Sequence, residues 1–161
     1  MIIVTNVTIN PKIAMPPNKS EFKLDEFLPF RLMSAAEIMS LQFAERYRQK
    51  YAMTRPEWRT FAIAGEHKGI TAKEIGAISG MHKTKISRAV GSLEKRGWVT
   101  KQRDTHDKRI EHIKLTAKGR THYAILVNEA NEFSDALAQK LGPKAMATIW
   151  KAIALLNKDS R

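Results

Sequence analysis

The chain has 161 residues, 43% of them hydrophobic and 27% charged, the makeup of a folded chain with a real core rather than a disordered one. Lys and Arg number 28 against 16 Asp and Glu; the net charge of +12 favours a polyanionic partner such as nucleic acid, with simple solubility as the plainer reading. There is no cysteine, which excludes disulfides, thiolate metal sites and thiol redox sensing by this chain. No run approaches the ~18 apolar residues of a membrane span, and Met1 to Val7 form no basic leader, so a cytoplasmic protein with no membrane partner is expected.

Residues 1–23 read as an arm: Ile2 to Ile9 is β-prone, but Asn10-Pro11 and Pro16-Pro17-Asn18 break it. From 24 to about 50, Leu24, Leu28, Leu32, Ala35, Ile38, Leu41 and Phe43 recur at mostly three- and four-residue steps, which predicts a helix that Pro29 either kinks or starts. A second helix starts at Thr54, which forms a capping box with Glu57; Pro56 suits its first turn, Trp58, Phe61, Ala62 and Ala64 its buried side, and Gly65 its end. Thr71 and Glu74 cap a short third helix, with Ile75 and Ile78 expected inward and Gly80 making a tight turn. Residues 83–96 form a fourth helix, stopped by Gly97.

Two β-prone runs, 98–101 and 110–115, flank a charged hairpin, which reads as a wing. In the second run Ile113 and Leu115 alternate with His112 and Lys114. Thr116 opens a long helix to about Leu141, striped by Leu126, Ala130, Phe133, Leu137 and Leu141. Gly142-Pro143 stops it and starts a last helix, with Met146, Ile149, Ile153 and Leu156 on one side and Trp150 widening that face.

A short helix, a glycine turn and a second helix can lay the second helix in a DNA major groove. At ~100° per residue, Ile86, Ala89, Val90 and Leu93 share the inner face of 83–96, while Thr84, Arg88, Gly91 and Lys95 lie opposite, flanked by Ser87 and Ser92. The exposed first half then offers Lys83, Thr84, Lys85, Ser87 and Arg88, hydrogen-bonders for base edges and phosphates with no carboxylate among them. A cationic helix face is commonly just a solvated one, but this face is followed directly by a hairpin bearing Lys101, Arg103, Lys108 and Arg109. His82, at the turn, reads as a capping or phosphate-contacting residue. None of His67, His82, His106, His112 and His122 falls in a metal-ligand spacing, and there is neither a glycine-rich phosphate loop nor a nucleophile-elbow serine, so no metal, no cofactor and no enzyme activity is expected.

The series Lys83-Thr84-Lys85-Ile86-Ser87-Arg88-Ala89-Val90, Leu93-Glu94-Lys95-Arg96-Gly97-Trp98-Val99, Asp107-Lys108-Arg109 and Leu115-Thr116-Ala117-Lys118-Gly119, in that order, resembles the MarR family (multiple antibiotic resistance regulators). The family's wing pattern is Asp-x-Arg followed by Leu-Thr-x-x-Gly, and the resemblance extends over about 24–156. It implies a mainly α fold with a small β-hairpin wing: a winged helix-turn-helix at 54–115, a dimerisation helix at 24–53 and C-terminal dimerisation helices at 116–161. The apolar stripes after 116 agree, since they exceed what a winged helix of about 60 residues needs for its own core. In a homodimer the two recognition helices would address half-sites ~34 Å apart on pseudo-palindromic double-stranded DNA.

By the same resemblance Arg109 enters the minor groove and Asp107 holds the wing turn and orients it; a plain turn-forming Asp is the alternative. Arg103-Asp104-Thr105 stands where the family's wing often has a proline, so a differently shaped tip is expected. Many relatives are repressors relieved by a small phenolic or carboxylate effector bound between the DNA-binding lobe and the dimer helices. Arg31, Arg46, Tyr47 and Trp58 are the candidates for such a pocket, against the reading that Trp58 is core and the arginines surface. The functions to weigh are therefore a sequence-specific regulator, a non-specific or architectural nucleic-acid binder driven by charge, and an enzyme or adaptor using the winged helix for protein contacts, preferred in that order.

Overall fold

A computed structural model describes residues 22–158, which divide into two units between Ala36 and Glu37. The arm expected at 1–23 lies almost wholly outside the described residues. In the smaller unit a single 3-10 turn, Leu24–Glu26, precedes α1 (Leu28–Tyr51), within which the unit boundary falls. Pro29 sits in the first turn of α1, where the missing N–H has no helical partner to lose; it marks the start rather than a kink.

The larger unit continues with α2 (Arg55–Gly65), β1 (Ile70–Thr71), α3 (Ala72–Ser79), α4 (Lys83–Lys95), β2 (Val99–Arg103), β3 (Glu111–Leu115), α5 (Ala117–Leu141) and α6 (Pro143–Lys158). The strands form one antiparallel sheet in the order β1-β3-β2, with Ile70 opposite Ile113 and Gln102 opposite His112. The core gathers Tyr47 of α1, Phe61 and Ala64 of α2, Ile75 of α3, Ile86, Val90 and Leu93 of α4, Trp98, Ile113 and Leu126. Capping chemistry sets the helix starts. Thr54 with Glu57 and Thr71 with Glu74 form reciprocal capping boxes, and Thr116 caps α5 by accepting the Gly119 N–H at 2.9 Å. Gly80 and Gly97 take left-handed backbone (φ 66° and 70°) at the ends of α3 and α4.

The structure corrects three local expectations. Ile78 is exposed, not inward: Ala72, Ile75, Gly76 and Ser79 share the buried arc of α3, and Ile78 falls beyond its margin. The strand β1, only two residues long, carries no periodicity and escapes a sequence reading. Finally, β2 runs on through Gln102 and Arg103, which read as hairpin loop but are ladder residues opposite His112 and Glu111.

Candidate nucleic-acid interface

The helix α4 is fixed from one side and free on the other. Ile86, Ala89, Val90 and Leu93 are all buried, which fixes its rotation about its own axis. Lys83, Thr84, Lys85, Ser87 and Arg88 are consequently exposed, with no acidic residue in the first turn. His82 is the N-cap: its Nδ1 accepts the Thr84 N–H at 3.3 Å, so the ring that the sequence marked is at least a capping group. Among the described residues the ion pairs belong to Lys23, Arg46, Lys50, Arg55, Arg96, Lys101 and His112. Lys83, Lys85, Arg88, Arg103 and Arg109 are not among them, and their charge stays available to a polyanion.

The C-terminal end of α4 is tied down twice. Lys101 of β2 pairs with Glu94 at 2.9 Å and joins the wing base to the helix. Behind the helix, Arg96 donates from Nη1 to the Tyr51 carbonyl at 2.7 Å and from Nη2 to the Ala52 carbonyl at 3.3 Å, while its plane lies over Trp98. Those carbonyls form the corner between α1 and α2, where Ala52 takes left-handed backbone (φ 46°). Glu57, buried, stands 3.9 Å from Arg96. Burial pushes the Glu57 carboxyl up, but bonds from the Ser92 hydroxyl and from Thr54, with the Arg96 charge, outweigh it and hold the carboxyl below its usual value. The sequence marked Glu57 only as a cap and did not mark Arg96 as a clamp, because its partners are backbone carbonyls more than forty residues earlier.

The wing tip spans residues 104–110. Arg109, exposed, donates its backbone N–H to Asp107 Oδ1 at 2.9 Å, an Asx-turn contact. Asp104 bears more of the loop than the sequence indicated. Its carboxylate accepts the N–H groups of His106 at 2.8 Å and Asp107 at 3.1 Å, and its Oδ2 meets His112 Nε2 at 2.9 Å. These bonds, the His106 N–H first, hold its carboxyl down to about 2. No proline is needed at a tip braced this way.

The candidates for an effector pocket are placed as follows. Arg31 lies in the smaller unit and donates to the Asp25 carbonyl. Tyr47 is fully buried and stacks on Trp58 (5.7 Å, 21°), and burial pushes its phenol up. Arg46 lies over the Phe133 ring at 5.7 Å and pairs with Glu132 at 3.6 Å. With Phe43 between Trp58 and Phe133, the last three border one aromatic cluster in the larger unit. Among the described residues no three His, Cys, Asp or Glu group to hold a metal, and no helix is long and apolar enough to cross a membrane.

Residues 53–110 match the model of the MarR family. FarR, an HTH-type transcriptional regulator of Neisseria gonorrhoeae, is 25% identical over 127 residues, which cover 79% of this chain and 86% of FarR. The transcriptional repressor MprA of Escherichia coli (strain K12) is 29% identical over 96 residues, 58% of this chain and 47% of MprA, so that match spans about half of the relative. In fold, the chain is similar to NadR, solved in complex with 4-hydroxyphenylacetate: the TM-score is 0.69 at 24% identity, covering 89% of this chain and 99% of NadR.

Proposed function

We propose, for a chain that belongs to the MarR family of transcriptional regulators through its winged-helix domain, that it binds a pseudo-palindromic operator as a homodimer and represses transcription there. The observation that carries this is the acid-free face of α4, with Lys83, Thr84, Lys85, Ser87 and Arg88 exposed beside a wing bearing Arg103 and Arg109. In this reading α4 lies in the major groove, where Arg88 makes a base-edge contact, Thr84 and Ser87 bond bases or phosphates, and Lys83 and Lys85 neutralise phosphates. His82 caps the helix end nearest the backbone. The wing carries Arg109 into the minor groove, with Asp107 orienting it, and Arg103 on the phosphates beside it.

Repression supports itself on MprA, a repressor in the same family, and relief by a ligand on NadR, which binds 4-hydroxyphenylacetate. A small phenolic or carboxylate effector would act by favouring a spacing of the two α4 helices that misfits the operator. Arg46, bordering the aromatic cluster of Tyr47 and Trp58, is the cation suited to its carboxylate.

Selection of bound fragments from a random duplex library at moderate salt tests the function. A regulator yields a palindromic site preferred by ~10³-fold or more over other DNA. Uniform binding, with affinity set by salt alone, would reduce the protein to a non-specific binder.

A further inference from the structure

The wing tip carries two carboxylates, Asp104 and Asp107, among Arg103, Lys108 and Arg109, where phosphates repel them. Carboxylates in that position have to do something other than touch DNA, and their bonds indicate what. Asp104 leaves the end of β2, and its backbone N–H closes the loop on the Ile110 carbonyl at 2.9 Å. The Ile110 N–H returns to the Asp107 carbonyl, also at 2.9 Å. The Asp104 side chain then makes three further bonds, to the N–H groups of His106 and Asp107 and to His112. An ionised carboxylate only accepts, so Nε2 of His112 carries the proton of that bond.

His112 belongs to β3, the central strand, opposite Thr71 of β1 and Gln102 of β2. Asp104 therefore ties the tip to the middle of the sheet, its side chain and that of His112 both about one-third exposed or less. The next link runs outward. The Asp107 N–H is held by Asp104, and the Asp107 carboxylate in turn holds the Arg109 N–H. We propose that Asp104, anchored on His112, is a positioning residue of the wing: it fixes Asp107, which fixes Arg109, and it acts on DNA only through Arg109. The proposal rests on the DNA-binding reading above.

The test uses the full chain and the duplex selected from the library, with Asp104→Ala, Asp104→Asn, Arg109→Ala and the double variant Asp104→Ala/Arg109→Ala. Asp104→Ala should weaken binding roughly tenfold, the order of one lost groove contact. The double variant should bind no more weakly than Arg109→Ala alone, since nothing remains to be positioned. Asp104→Asn keeps an oxygen for the two backbone N–H groups and should recover most of the loss. Without DNA, amide hydrogen exchange at Arg109 should quicken in Asp104→Ala, although the bond made by that amide goes to Asp107. An Asp104→Ala loss that persists in full on the Arg109→Ala background would overturn the proposal, as would unchanged exchange at Arg109. Failure of the underlying DNA reading is distinct: the wild-type protein would bind all duplexes alike, and Arg109→Ala would weaken every one of them equally.

Discussion

At the level of single residues, the two kinds of contact on α4 separate by how they respond to sequence and salt. Arg88 can reach a guanine edge with two donors, so Arg88→Ala should cost ~1–3 kcal/mol on the selected site and relax the preference at one base pair. Lys83 offers one point charge, so Lys83→Ala should weaken all duplexes alike and lower the salt slope by about 1. Titrating both variants across salt concentrations, on the selected duplex and on scrambled DNA, checks this; equal effects on every duplex would remove Arg88 from base reading. Another residue of the motif answers to a different need. Gly119 ends the Leu-Thr-x-x-Gly pattern because the start of α5 passes directly over the Trp98 carbonyl, and a Cβ at 119 would run into that backbone. Thr116 locks the same junction, donating to the Gly97 carbonyl at 2.7 Å while capping α5. Since backbone cannot step aside as a flexible side chain can, Gly119→Ala should destabilise the fold by ~1–3 kcal/mol or more, read as a lowered midpoint in urea unfolding.

Between elements, pH acts on both the wing and the α1–α2 corner. The Asp104 carboxyl sits at about 2, below the ~3.9 of an unperturbed Asp. Its contribution to the folded wing is therefore fully present above about pH 4 and is lost as pH falls from there towards 2. Amide exchange at His106 and Asp107 should stay slow down to that window and quicken within it; loss of protection already at neutral pH would contradict the bonding seen here. Glu57, lowered as well, stabilises the corner in the same direction, lost as acid protonates it.

What the sequence made legible at this level follows from range. Thr54, Thr71 and Thr116 cap helices through partners three residues on, and Gly80 and Gly97 act at their own φ, so each could be named from a short window. The inner face of α4 was legible for the same reason, as four apolar side chains within eight residues. The Asp104–His112 bond was not, because it depends on the register of a hairpin whose first strand ends two residues beyond its β-prone run. Arg96 was not either, since carbonyl acceptors leave no trace in residue type.

For the whole molecule, the question is what covers the apolar side chains that one chain leaves in water. On α6, Trp150 is 63% exposed and Leu155 60%, with Ile149, Ile153 and Leu156 exposed beside them, while α6 itself packs along α5. In the smaller unit Leu28, Leu32 and Met33 are exposed too. Such a concentration of apolar surface along α6 marks a contact face rather than scattered solvent-facing residues. A second copy of the chain is the occupant that also fits the proposed operator, of which one α4 would read half. The wild-type protein should therefore sediment at twice 18.3 kDa, and Trp150→Glu with Ile153→Lys should bring it towards 18.3 kDa. The variant loses the effective concentration with which one bound half-site presents the other, so its affinity for the palindrome should fall ~10²-fold or more, towards that for an isolated half-site. Affinity for the half-site itself should stay as it was, since no residue of α4 or the wing has changed. A wild-type protein that sediments as a monomer yet binds the palindrome tightly would assign the apolar face of α6 to some other partner.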